Sequence, residues 1–151
     1  MNRQKNLIMI KEKYLGAYMK TARVFAELST AKRKQVGAVI VKDNRIISIG
    51  YNGMPSGWDN NCEQVVGHTH EGPVLKTKAE VLHAESNAIA KLAKSTESGD
   101  GASMFITCSP CIECAKMIFQ SGIKEVFYDE DYRDDGGIVF LNKCGITVKQ
   151  I

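Results

Sequence analysis

The sequence lacks the features that mark membrane proteins and secreted disulfide scaffolds. No apolar run approaches the roughly 20 residues that a membrane-spanning helix needs, and charges on both sides of the short apolar stretch near the N-terminus argue against a secretory signal. The five cysteines are an odd number, and two of them form a C-x-x-C, which suits reduced thiols better than disulfides. We therefore expect a cytoplasmic protein without a membrane segment.

A strong excess of one charge is also missing. The formal net charge is +3, which by itself is too small to indicate a nucleic-acid-binding surface. No repeat, low-complexity tract or linker divides the 151 residues, and 44% hydrophobic with 25% charged residues is typical of a globular protein. The sequence predicts a single domain over residues 1–151 and gives no reason to expect nucleic acid as a partner.

Hydrophobic spacing predicts helices alternating with strands. Apolar residues three and four apart indicate a first helix between Tyr14 and Ala26, and two β-branched runs joined by residues 42–44 indicate a hairpin. Residues 53–78 show no periodicity and are interpreted as a long functional loop. Three more helices are predicted: one from the His83 region to Lys94, one that ends at Gly122, and one over 137–143. The second of these has Ser109 as its N-cap and Pro110 at its first position. Further strands are predicted at 104–107, 126–128 and 146–148. This order favours an α/β fold with a mixed sheet and helices on both faces.

Two short motifs carry the candidate chemistry, a His-Ala-Glu triplet at 83–85 and a Pro-Cys-Ile-Glu-Cys segment at 110–114. One imidazole and two thiols can hold a Zn²⁺ and leave a fourth position open, which is the composition of a catalytic zinc site. Both motifs fall at predicted helix N-termini, where the helix dipole favours a thiolate. We predict one zinc per chain, held by His83, Cys111 and Cys114, with Glu85 transferring protons.

Other interpretations of these motifs use only part of them. A C-x-x-C alone often belongs to a structural zinc knuckle or a redox pair, and His83 would then be a core histidine. A closed zinc site would need a second C-x-x-C or an H-x-x-x-H, and neither is present. A non-catalytic zinc-binding interaction module remains the alternative from another class of protein, and it would not need Glu85.

Three further segments, residues 35–41, 49–57 and 120–126, resemble deoxycytidylate (dCMP) deaminases, members of the zinc-dependent cytidine deaminase family. The Gly-Tyr-Asn-Gly-x-Pro loop within the second segment is the most specific part. The resemblance implies a cytidine-deaminase-like three-layer α/β/α fold with a mixed five-stranded sheet. It also implies conversion of dCMP to dUMP, the precursor of thymidylate. A viral (phage) member of the family would act in the cytoplasm of its host.

The resemblance also implies which residues contact the nucleotide. Asn52 is expected to contact the deoxyribose, the carbonyl of Ser109 to accept a hydrogen bond from the pyrimidine amine, and Tyr132 to lie near the nucleotide. Ala84, inside the His-Ala-Glu motif, belongs to the same predicted set. Arg33 and Arg133 are candidates for holding the phosphate, although both could equally be solvated surface charges.

Regulation and self-association follow from the same resemblance. Family members are commonly homo-oligomers, which predicts a homohexamer or a smaller assembly here. They are activated by dCTP and inhibited by dTTP with Mg²⁺. The expected effector-binding residues are Gly50, Tyr51 and Gly53, since glycines let backbone N–H groups approach phosphate; Tyr51 could instead be a core aromatic.

The sequence departs from the family at a second zinc site that some members carry. In those members two cysteines bind the second zinc; Ala31 occupies the first of these positions here, and Cys62 occupies the second. Cys62, His68 and His70 are therefore an alternative set of ligands. A tRNA adenosine deaminase is the nearest rival enzyme, but its loop typically reads Gly-Trp-Asn-Arg. A free-cytidine deaminase usually has Cys in place of His83. The nucleotide dCTP is kept as an alternative substrate.

Overall fold

A computed structural model describes residues 10–151, and its central element is a five-stranded sheet. The elements in chain order are α1 (Glu12–Ala26), β1 (Gly37–Lys42), β2 (Arg45–Tyr51), β3 (Glu63–Thr69), β4 (Gly72–Thr77), α2 (Ala84–Ala93), β5 (Ser103–Cys108), α3 (Ile112–Gln120), β6 (Glu125–Glu130), α4 (Gly136–Lys143) and β7 (Thr147–Gln150). The sheet order is β2-β1-β5-β6-β7. Strand β1 is antiparallel to β2 and β5, whereas β5, β6 and β7 run parallel. The predicted mixed sheet is confirmed.

Each face of this sheet carries its own hydrophobic core. On one face, α1 packs Leu15, Met19 and Ala22 against Phe105 and Phe127, whose rings stack with centroids 4.8 Å apart. On the other face, the buried residues come from α2, α3 and α4: Ala84, Ala88, Leu92, Ala115, Ile118 and Leu141. The structure therefore has the predicted three layers. Among the described residues, no helix combines the length and the apolar character needed to cross a bilayer.

The predicted first hairpin is present, and its turn is held by a helix. Asp43 and Asn44 both have positive φ, 51° and 55°, as a two-residue type I′ turn requires. The hydroxyl of Tyr18 donates a hydrogen bond to Asn44 Oδ1 at 2.6 Å. This contact fastens the turn to α1.

The interpretation of residues 53–78 as a loop was wrong, because they contain the hairpin β3–β4. Its register runs from Glu63 opposite Thr77 to Thr69 opposite Gly72. Most of its residues are exposed on both faces, so the sequence has no apolar–polar alternation to reveal the strands. Glycine and proline within the hairpin further weaken the strand pattern.

The start of α3 also differs from the prediction. Cys111, and not Ser109, is the N-cap residue, while the Ser109 hydroxyl accepts a hydrogen bond from the N–H of Tyr132 at 2.7 Å. His83 is the N-cap residue of α2. The two sequence motifs therefore do lie at helix N-termini, as predicted.

Candidate active site

Three potential metal ligands converge where α2 and α3 begin. The Nδ1 atom of His83 lies 3.6 Å from Cys111 Sγ and 3.3 Å from Cys114 Sγ. All three ligand atoms lie within 4.8 Å of one another. His83 and Cys111 are the two N-cap residues, and Cys114 lies in the first turn of α3. The helix starts therefore bring together the three ligands predicted from the motifs.

This geometry fits a tetrahedral zinc ion. Bonds of about 2.05 Å to nitrogen and about 2.3 Å to sulfur place those two ligand atoms about 3.6 Å apart in a tetrahedral site. The two nitrogen–sulfur distances observed are close to that spacing. One nitrogen and two sulfur donors match a zinc centre that keeps a position for a further ligand. The chemistry of the donor set and its spacing both favour Zn²⁺.

The two thiols have strongly different proton affinities. Hydrogen bonds from Cys114 and His83 lower the pKa of Cys111 to about 3. The hydrogen bond to Cys111, together with burial, raises the pKa of Cys114, and the hydrogen bond to Cys111 raises the pKa of His83. One thiolate is thus already formed at neutral pH and is stabilised by its neighbours, as metal binding requires.

Glu85 lies in the first turn of α2, beside these ligands. Its side chain is only 4% exposed, and burial raises its pKa, while a hydrogen bond from Cys114 acts in the opposite direction. A buried carboxyl group beside potential metal ligands is placed to accept and to release a proton during a reaction at that metal. Glu85 has the environment of a proton-transfer group.

A cleft of about 670 Å³ opens next to the metal ligands, a size typical of small-molecule sites. Four chain segments line it: 31–36, 77–85, 108–111 and 131–133, with single residues from elsewhere. Arg33, Lys34, Lys78 and Arg133 supply positive charge around it. The cleft therefore joins a candidate zinc centre, a buried carboxyl group and cations that suit an anionic ligand.

The sequence matches the family described as the cytidine and deoxycytidylate deaminase zinc-binding region over residues 12–130. The chain belongs to this family. Human deoxycytidylate deaminase is 38% identical over 142 residues, covering 88% of this chain and 76% of the human protein. The deoxycytidylate deaminase of Enterobacteria phage T4 is 38% identical over 149 residues, and the match covers 76% of this chain and 77% of the phage protein.

A solved structure in the same family agrees closely with the fold. The dCMP deaminase of cyanophage S-TIM5, crystallised in complex with dCMP and dUMP, has a TM-score of 0.84 and 44% sequence identity. The match covers 94% of this chain and 99% of the cyanophage chain. The cytidine-deaminase fold expected from the resemblance is thereby confirmed.

The residues predicted to contact substrate all line the cleft of this deaminase-family chain: Arg33, Asn52, Ala84, Ser109, Tyr132 and Arg133. The amide group of Asn52 accepts a hydrogen bond from the N–H of Val36 at 2.8 Å and donates one to the carbonyl of Lys34 at 2.9 Å. Asn52 thus shapes the cleft wall. The guanidinium of Arg133 lies 5.3 Å above the Tyr132 ring. Their substrate roles stay predictions.

The three predicted effector residues have different surroundings. Gly50 is buried, and a Cβ there would meet the carbonyl of Ala84 at 2.2 Å, which gives this glycine a packing role. The N–H of Gly53 donates to the carbonyl of Leu82, so it is already paired. Tyr51 is 37% exposed and therefore does not belong to the core.

The alternative zinc ligands do not converge. Within residues 10–151, the group of His83, Cys111 and Cys114 is the one cluster of His, Cys and acidic side chains with metal-ligand spacing. Cys62 is fully buried next to the Thr30 hydroxyl, whereas His68 and His70 lie exposed on the β3–β4 hairpin. The described part of the chain therefore has one candidate zinc site.

Sequence reasoning missed several residues that line the cleft, among them Lys34, Glu63, Thr77, Lys78 and Cys108. Lys34 could have been noticed as part of the basic run at 32–34. Glu63 and Thr77 lie in the hairpin that has no sequence periodicity, and no motif marks them. They reach the cleft only through the folding of β3 against β4.

Proposed function

We propose that this protein catalyses the hydrolytic deamination of dCMP to dUMP. The observation that carries the proposal is the His83–Cys111–Cys114 cluster with the buried Glu85 carboxyl group beside it, at one end of a cleft with a cationic rim. A non-catalytic zinc module has no use for a buried carboxyl group with a raised pKa next to the metal ligands. The named relatives from human, phage T4 and cyanophage S-TIM5 support dCMP as the substrate.

The metal-ligating residues are His83, Cys111 and Cys114. When bound there, Zn²⁺ supplies a Lewis acid that makes water a nucleophile near neutral pH. Cys111, the N-cap residue of α3, lies at the positive end of the helix dipole, which favours its thiolate form. Because both cysteines must stay reduced, we place the reaction in a cytoplasm, which for a phage-encoded chain is that of the host.

Glu85 moves the protons of the reaction. Its carboxylate takes a proton from the attacking water and gives it to the ring nitrogen beside the amino-bearing carbon. The hydroxide so formed bonds to that carbon, and Glu85 then transfers the proton of the added hydroxyl group to the amino group. The C–N bond breaks and ammonia leaves, so that one water is consumed for each dUMP formed. Proton transfer by a positioned group contributes roughly 10²- to 10⁴-fold in rate.

The remaining cleft residues bind and orient the nucleotide. We assign the phosphate to Arg33 and Arg133, which lie at the cleft and are exposed, and the amine to the Ser109 carbonyl. Tyr132 is held in place by its N–H bond to Ser109 Oγ and would face the nucleotide. Ala84 and Asn52 complete the pocket wall.

A substrate panel tests this proposal against its rivals. The zinc-loaded protein would be incubated with dCMP, dCTP, deoxycytidine and an adenosine-containing tRNA hairpin, with product formation followed by chromatography. We expect dCMP to be used with the highest kcat/KM. Preferential turnover of the tRNA hairpin would favour the adenosine deaminase, and retained zinc without any turnover would favour the interaction module.

We also propose that dCTP activates and dTTP inhibits the enzyme, each with Mg²⁺. A second cavity of about 440 Å³ lies beside the 50–57 loop, lined by Met54, Trp58, Asp59, Gln64, Lys78, Ala79 and Glu80. Opposite effects require each triphosphate to prefer a different conformation. The test is a dCMP saturation curve with and without each triphosphate, and superimposed curves would contradict the proposal.

Self-association, up to a homohexamer, is the last part of the proposal. Large apolar side chains are exposed on and around the β3–β4 hairpin: Trp58, Val65, Val66, Val74 and Leu82. Contiguous exposed apolar surface commonly marks an interface. Sedimentation velocity would show an oligomer that Val66→Lys weakens, whereas a monomer at micromolar concentration would contradict the proposal.

A further inference from the structure

Glu63 is a buried carboxylate that binds the backbone of the cleft wall. Its side chain is 4% exposed, and Oε1 accepts hydrogen bonds from the N–H groups of Lys32 at 2.7 Å and Arg33 at 3.0 Å. Within residues 10–151, Oε2 has no hydrogen-bond partner. Burying a carboxylate is unfavourable unless it is hydrogen-bonded, and the N–H groups of Lys32 and Arg33 supply such bonds to Oε1.

Thr77 binds the same arginine from the neighbouring strand. It lies directly opposite Glu63 in the β3–β4 ladder, and its hydroxyl accepts a hydrogen bond from Arg33 Nη1 at 3.2 Å. One cross-strand pair therefore holds Arg33 at two points, by its backbone N–H and by its guanidinium. All three residues line the active-site cleft.

We propose that Glu63 and Thr77 form a two-point clamp that positions the Arg33 guanidinium to bind the substrate phosphate. The inference rests on the proposed function, in which Arg33 is a phosphate ligand. Segment 27–36 contains no helix or strand, so Arg33 depends on contacts from elsewhere for its position. Glu63 and Thr77 are positioning residues, and their effect is on substrate affinity and not on the chemical step.

The test compares Glu63→Ala and Thr77→Val with the control Glu71→Ala. Glu71 lies at the tip of the same hairpin with its side chain 84% exposed. Since charge-assisted hydrogen bonds position the arginine, we expect Glu63→Ala to raise KM for dCMP about tenfold and Thr77→Val about threefold, with kcat changed less than about twofold. Glu63→Gln keeps an oxygen for the two N–H groups, so it should restore most of the affinity.

Two further measurements separate positioning from general destabilisation. The affinity for dUMP, measured by calorimetry, should fall by the same factors, whereas the affinity for deoxyuridine, which has no phosphate, should not change. In an Arg33→Ala background, the Glu63 and Thr77 substitutions should change KM less than about twofold, since coupled residues are not additive. Thr77→Val is nearly isosteric and should fold. If Glu63→Ala fails to fold, the KM and the dUMP affinity of Thr77→Val test the clamp.

The outcomes distinguish the clamp from the proposed function. A wild-type protein that neither deaminates dCMP nor binds dUMP overturns the proposed function and the clamp with it. An active wild type whose Glu63 and Thr77 variants keep normal KM and dUMP affinity overturns the clamp alone. The clamp would also be overturned if both substitutions raised KM in the Arg33→Ala background by as much as they do in the wild type.

Discussion

Gly50 on β2 lies so close to α2 that a Cβ at this position would come within 2.2 Å of the carbonyl oxygen of Ala84. The same Cβ would lie 2.6 Å from the backbone nitrogen of Ala88. The Ser48 hydroxyl, which donates to the carbonyl of Ala88 at 2.6 Å, strengthens this contact between strand and helix. The backbone of β2 therefore sets the position of the helix end that carries His83 and Glu85.

Gly50→Ala should displace the first turn of α2. We expect the free energy of unfolding to fall by about 1 to 3 kcal/mol, as in other overpacked cores, and zinc affinity and turnover to fall as well. Gly16→Ala is the control, because a Cβ on this helical glycine meets nothing within 4 Å and should stabilise α1 by up to about 1 kcal/mol. Denaturant unfolding and a zinc competition assay would check both. Equal stability of Gly50→Ala and the wild type would contradict this contact.

The sheet and the metal ligands could be predicted because each has a local signal. The β-branched runs of β1 and β2 and the apolar spacing of the helices indicate their own structures. The donor types and spacing of His83, Cys111 and Cys114 indicate a zinc site before any fold is known. The family resemblance added the strand number and the substrate class.

The β3–β4 hairpin and the positions of cleft residues could not be predicted in the same way. The hairpin does not pack on either hydrophobic core. Its sequence therefore does not alternate between apolar and polar residues as that of a half-buried strand does. Ser109 has the composition of an N-cap residue, but its hydroxyl is used by the N–H of Tyr132, a contact with a distant segment. Phe119 lies on the predicted apolar face of the third helix, yet it is 41% exposed and packs edge-on against Phe140. Each of these outcomes depends on tertiary contacts.

Cys111 should be the most reactive thiol of the metal-free protein. Its pKa of about 3 means that it is a thiolate at pH 6, whereas the pKa of Cys114 and that of the buried Cys108 are raised. Iodoacetamide at pH 6 should therefore label Cys111 first, and bound zinc should protect it. Mass spectrometry of digested protein would show the site. Labelling of Cys108 before Cys111, or equal labelling with and without zinc, would contradict the assignment.

The protein should bind one zinc per chain. His83→Ala should lose the metal, because it removes the only nitrogen ligand, whereas His68→Ala and Cys62→Ser should keep it. Metal analysis of the purified variants after dialysis checks the count. Two tightly held zincs per chain, or loss of zinc from the His68 variant, would show that the Cys62, His68 and His70 set is a real site.

Glu85→Gln should separate metal binding from catalysis. The amide has nearly the same shape but cannot carry a proton, so we expect normal folding and zinc content with turnover lowered roughly 10²-fold or more. Circular dichroism, metal analysis and a dCMP assay on the same preparation would measure all three. Near-normal turnover would show that another group transfers the protons.

The most direct test of the account is the product balance with dCMP. Zinc-loaded protein incubated with dCMP should form dUMP and ammonia in equal amounts, and treatment with a chelator should abolish both until zinc is restored. Coupled ammonia detection and chromatography of the nucleotides would measure the two products in one reaction. A fully zinc-loaded, folded protein that leaves dCMP unchanged would contradict the proposed function.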